Sequence, residues 1–144
     1  MNNTPSRNSR LSGFTLIELL VVVAIIGILA LMIYPSYEKD VYASRRSDAF
    51  AALSTDSQLL ERCYTQYFQY NNAACPALAT TSPRGYYTIN PTVTPSTYSL
   101  TAVPNPTGPQ VGDTECASFT LDNTGQKTAI NSVGQSTTSA CWTN

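Results

Sequence analysis

The chain has 144 residues, enough for one domain. Its 8 Lys+Arg against 9 Asp+Glu give a formal net charge of -1, so no general electrostatic pull toward nucleic acid or anionic lipid exists. Only 12% of residues are charged, and there is no histidine, which removes the commonest general base and the commonest metal ligand. Four cysteines, an even count in a short chain, point to disulfides in an oxidising compartment. An ordinary cytosolic enzyme is a poor fit.

Residues 1–13 are polar and carry Arg7 and Arg10 without an acid. Residues 14–34 are apolar except for Thr15, Glu18 and Gly27. As a helix this run would rise about 31 Å, close to the hydrocarbon thickness of a bilayer. The basic flank places the N-terminus in the cytoplasm and sends the rest across in a single pass. A cleaved secretory signal peptide fits less well, since its apolar core is shorter and its small-residue site follows that core.

Glu18 sets this run apart from an ordinary signal anchor. A carboxylate at mid-bilayer costs about 2.5–3.5 kcal/mol on insertion scales, and such a group usually has a partner. No Lys or Arg lies between Arg10 and Lys39. The cation must come from another molecule or from a new chain end. Cleavage after Gly13 would create one: the amino group of Phe14, largely protonated near neutral pH.

The run Gly13-Phe14-Thr15-Leu16-Ile17-Glu18, between a basic leader and a long apolar stretch, resembles the prepilin signature of type IV pilins and type II secretion pseudopilins. The resemblance implies a leader, residues 1–13, cut after Gly13 by a membrane-embedded prepilin peptidase that also N-methylates Phe14. It implies that Glu18 pairs with the amine of a neighbouring subunit's first residue during filament assembly. The partners implied are other pilin subunits, the peptidase, the inner membrane and its assembly platform. The implied location is the inner membrane and then an extracellular pilus of a Gram-negative bacterium.

Pro35 follows the apolar run, and a proline within a helix removes a hydrogen bond and kinks it. Gly27 is a second weak point. Beyond Pro35, Ala49, Leu53, Leu60, Cys63, Tyr64 and Tyr67 recur at helical spacing, interrupted by Asp56 and Ser57, while Lys39, Arg45, Arg46, Asp48, Glu61 and Arg62 fill other faces. The resemblance supports one long bent helix over about 14–67. Its half over 14–35 is membrane-embedded and then lies in the filament core, with helicity lost between Gly27 and Pro35. The globular domain occupies 36–144.

Seven of the nine prolines lie between Pro76 and Pro109, which reads as loop and strand. Residues 86–89, 97–103, 117–121 and 126–130 read as strands, and Asp122-Asn123-Thr124-Gly125 as a turn. The fold expected is α+β: the type IV pilin fold, a long N-terminal helix packed on an antiparallel sheet of three or four strands. No internal repeat is visible.

Four cysteines allow three pairings. The stretches Phe119–Thr128 and Glu61-Arg62-Cys63-Tyr64, with Cys63…Cys75 and Cys116…Cys141-Trp142, resemble PilE-type minor pilins. That likeness implies the disulfides Cys63–Cys75 and Cys116–Cys141. Without C-x-x-C or histidine, zinc or redox chemistry is disfavoured. No catalytic set emerges, and no enzyme activity, cofactor or metal is expected. Asp113 and Glu115 read as a solvated loop rather than a calcium site, and Arg45-Arg46 as an exposed helix face.

The function expected is that of a minor pilin built into a type IV pilus, serving assembly, twitching motility or adhesion. One alternative is a DNA-uptake pilin. Against it, residues 36–144 hold six basic side chains (Lys39, Arg45, Arg46, Arg62, Arg84, Lys127) and eight acidic ones, which disfavours tight phosphate binding. The other alternative is a secretion pseudopilin.

Overall fold

A computed structural model describes residues 13–142, with the side chains of residues 33–36 outside that description. The expected leader 1–13 therefore lies almost wholly outside the described residues, as does the surrounding of Pro35. The chain divides into two compact units, one ending at Tyr37 and the other starting at Glu38.

Helix α1 is assigned over Leu16–Tyr67. In the first unit, Gly27 is helical and has no neighbour near the position a Cβ would take. Among the described residues no single helical stretch is long and apolar enough to cross a membrane. Leu16–Met32 meets that requirement only together with Tyr37–Tyr67.

The second unit is α+β. Its sheet contains β1 (Tyr87–Val93), β2 (Tyr98–Pro104), β3 (Ser118–Asp122) and β4 (Lys127–Ile130), in the order β1-β2-β3-β4, all neighbours antiparallel. Strand alternation sorts the side chains. Tyr87 and Ile89, Tyr98, Leu100 and Ala102, Phe119 and Leu121, and Ala129 are buried with Ala49, Ala52, Leu53, Leu60 and Cys63 of the helix. Fully burying a side chain such as Leu53, Ile89, Leu100 or Phe119 stabilises by about 1.5–3 kcal/mol.

Three differences from the expected elements have physical causes. β1 runs on through Pro91, four residues past the expected end at Ile89. The N–H groups of Tyr87 and Ile89 point away from β2, to Ser82 Oγ and Thr80 O. Pro91 shares their direction, so its missing N–H falls on the outer edge and costs no bond to β2. Second, Tyr64 and Tyr67 lie outside the core. Phe68 adopts φ 53° and ends the helix, its N–H donating to Tyr64 O at 2.7 Å, and Tyr64 stacks instead on Tyr70 with ring centres 4.5 Å apart.

Third, a short repeat exists. In the β3–β4 turn, Asp122 Oδ1 accepts from the N–H groups of Thr124 and Gln126, and Gly125 has φ 79°. After β4, Asn131 Oδ1 accepts from Val133 and Gln135, and Gly134 has φ 80°. Both turns read Asx-x-x-Gly-Gln: the Asx caps the turn, the glycine takes the left-handed conformation, and the glutamine resumes extended chain. The second turn lays residues 135–138 along the outer edge of β4, with Ile130 opposite Ser136 and Thr137 N–H donating to Ala129 O. That covering suppresses edge-to-edge pairing.

Candidate functional site

Gly13 and Phe14 precede the helix in non-helical, exposed chain. Thr15 begins α1. Its Oγ1 accepts from Glu18 N–H and its carbonyl from Leu19 N–H, both at 3.3 Å, the arrangement of a threonine N-cap. Capping by Thr15 ends the helix at the expected cleavage position and leaves the Gly13–Phe14 peptide open.

From Phe14 to Met32 every large apolar side chain is exposed, from 47% at Val21 to 83% at Phe14. A helix apolar on all sides belongs inside an apolar surrounding rather than in water. Glu18 sits in this stretch, exposed, and its carboxylate makes no hydrogen bond or ion pair among the described residues. It lies four residues past Phe14, with no cation beside it among the described residues.

In the second unit, the candidate polar residues are placed otherwise than expected. Arg46 is not on an exposed face. Its Nε and Nη2 donate to Asp113 Oδ2 and Oδ1 at 2.8 and 2.9 Å, with side chains 12% and 2% exposed. Gln110 Nε2 donates to the same carboxylate at 3.0 Å and to Tyr42 O at 3.2 Å, and Cys116 N–H donates to Asp113 Oδ1. Glu115 remains exposed, 3.9 Å from Arg46. Asp113 is thus no solvated loop residue: it anchors the loop with the short 3-10 turn Pro109–Gly112 onto α1. The hydrogen bonds that Arg46 donates to Asp113 raise the Arg46 pKa, outweighing the opposing effect of burial.

Adjacent residues on a helix point about 100° apart. Arg45 therefore goes elsewhere, over the ring of Tyr86 at 5.3 Å. Lys127 lies over Trp142 at 5.2 Å. Arg62 and Arg84 are exposed. Of the basic side chains, two lie on aromatic faces and one in a buried ion pair, each with a different partner.

Two carboxylates not anticipated as core residues complete the set: Asp48 and Asp56, 4% and 1% exposed. Both lie on the buried stripe with Ala49, Ala52, Leu53 and Leu60. Their spacing within that stripe was the one sequence signal of burial.

Cys63 pairs with Cys75, and Cys116 with Cys141. The second bond ties the start of β3 to the short helix α2 (Thr138–Cys141). Trp142 follows it, stacked on Phe50 at 4.5 Å and edge-on to Phe119, its Nε1 donating to Thr128 O at 2.8 Å.

Residues 35–120 match the family described as type IV minor pilin ComP, DNA uptake sequence receptor, and residues 8–34 match the prokaryotic N-terminal methylation motif. The chain is 40% identical over 70 residues to the fimbrial protein EcpC of Eikenella corrodens, covering 47% of this chain and 46% of that protein. It is 30% identical over 82 residues to a fimbrial protein of Neisseria meningitidis, covering 56% and 48%. The chain thus spans about half the length of the curated relatives it matches. Its fold is similar to that of the Neisseria meningitidis non-core minor pilin PilV, with TM-score 0.54 and 27% identity over 64% of this chain and 89% of that one. An N-terminal methylation motif, a helix laid on a four-stranded antiparallel meander, and a family match running from residue 35 to residue 120 converge on one assignment: the chain belongs to the type IV minor pilin ComP family.

Proposed function

We propose that the chain is a structural subunit of a type IV pilus, stored in the inner membrane by its apolar helix and then built into the filament. Prepilin peptidase removes the leader after Gly13 and methylates Phe14. The new amine of one subunit pairs with Glu18 of a neighbour, and the apolar helices close around them. The carboxylate thereby acts as a register device, because only the correct stagger brings it a cation. Gly27 and Pro35 supply the helix with two weak points at which it yields during packing. The observation that carries this reading is Glu18: a carboxylate without a partner among the described residues, in a helical stretch, Leu16–Met32, whose large apolar side chains are all exposed. Glu18→Ala leaves leader cleavage intact and abolishes recovery of the subunit in sheared filaments. Normal recovery of that variant would refute the role given to Glu18.

A second reading, a receptor for DNA during uptake, is favoured by the description of the matching family. The scattering of Arg45, Arg46 and Lys127 onto separate partners weighs against it. Binding of duplex DNA that weakens steeply with added salt would establish this reading. Absence of such binding by intact pili would leave the structural role alone.

A further inference from the structure

Between Cys75 and Arg84 the chain forms a strap along the second half of α1, fastened at three points. Cys75 is bonded to Cys63. Ala79 N–H donates to Asp56 Oδ1 at 3.2 Å. Ser82 Oγ and Arg84 N–H donate to the two oxygens of Asp48. Cys63, Asp56 and Asp48 are spaced about two helical turns apart, roughly 10–12 Å. Cys75, Ala79 and Ser82 are spaced about 10–13 Å along extended chain. The strap therefore runs antiparallel to the helix and in step with it. Its other side borders β1: Ile89 N–H donates to Thr80 O, Ser82 N–H to Tyr87 O, and Thr81 lies opposite Thr88.

The three fastenings differ in kind. One end is covalent. The other is a carboxylate with both oxygens bonded. The middle one is a single hydrogen bond to Asp56, which is 1% exposed and whose Oδ2 has no partner among the described residues. An ionised carboxylate in that position is poorly compensated; a neutral one is penalised by burial far less.

We propose that the middle of the strap is a proton-operated latch: with Asp56 neutral the strap lies closed on α1, and with Asp56 ionised it opens around Ala79 while its two ends hold. The strap residues 76–81 carry no titratable side chain, and β1 and β2 carry only Tyr87 and Tyr98. Burial moves both phenols upward, so neither ionises near neutral pH. On the helix the neighbouring acids are Asp48, engaged by Ser82 and Arg84, and Glu61, engaged by the Tyr70 hydroxyl. Burial raises the Asp56 pKa above its ordinary value, against the opposing effect of the Ala79 N–H. The closed form therefore binds the proton more tightly than the open one. Closure is strongest in acid and weakens as pH rises through the carboxyl's titration.

Amide hydrogen exchange of the full chain in detergent micelles, corrected for the intrinsic rate and followed from about pH 4 to about pH 8, tests this. Protection at Ala79 falls as pH rises, by up to about tenfold per pH unit within the titration range. Protection at Ser82 holds steady, and Asp56→Asn abolishes the pH dependence at Ala79. A flat profile at Ala79 in the unaltered chain overturns the latch. So does an unchanged slope in Asp56→Asn, or a parallel fall at Ser82.

Discussion

Arg46 and Asp113, separated by 67 positions in the chain, grip each other through two hydrogen bonds of 2.8 and 2.9 Å beneath the Pro109–Gly112 turn. This pair, with Gln110 and the Cys116 N–H on the same carboxylate, fixes the long β2–β3 connection to the helix and delivers Cys116 to Cys141.

Arg46→Met strands Asp113 as a buried, uncompensated charge and costs about 3–5 kcal/mol. Arg46→Lys costs less but is not neutral, because one ammonium cannot span both carboxylate oxygens as the planar guanidinium does. Urea denaturation followed by fluorescence of Trp142, the one tryptophan in the chain, ranks the three proteins as unaltered, Lys, Met.

Asp122 and Asp56 act with opposite sign on stability against pH. Hydrogen bonding from Thr124 and Gln126 lowers the Asp122 pKa, so its contribution is present above the ordinary carboxylate range and is lost as pH falls through the folded value. Asp122→Ala flattens the acid limb of a melting-temperature profile. Asp56, raised by burial, destabilises the ionised folded state, so Asp56→Asn raises the melting temperature at neutral pH and changes it little in acid.

The disulfides close loops of different length, with sequence separations of 12 and 25. Replacing either pair by serine costs about 2–5 kcal/mol. The Cys116–Cys141 replacement costs more, by about 0.6 kcal/mol for the doubled loop, in the chain-entropy account. Denaturation midpoints of the two double-serine variants measure the difference.

The twin turns predict matched losses. Gly125→Ala and Gly134→Ala each place a Cβ at φ near +80° and cost about 1–2 kcal/mol. The two turns lie at opposite ends of β4, so the losses add in the double variant. A calorimetric melt of the three proteins checks both statements.

The amino-acid sequence by itself determined the parts that rest on local chemistry. The apolar run and its lone Glu18, the alternation of Tyr98, Leu100 and Ala102, and the Asp122–Gly125 turn each follow from spacing and residue type within one segment. Only the tertiary structure decided which polar groups are buried. Arg46 and Asp113 lie far apart in the chain, and nothing in either neighbourhood announces the other. Asp56 reads as a break in an apolar stripe, and Asp48 as part of another face, until the 75–84 strap brings N–H and O–H donors to them. Pro91 looks like a strand terminator until the outer edge of β1 shows that its absent N–H has no partner to lose. The cause is common to all five: whether a polar atom or a missing donor is costly depends on what lies opposite it, and that is settled when distant segments pack.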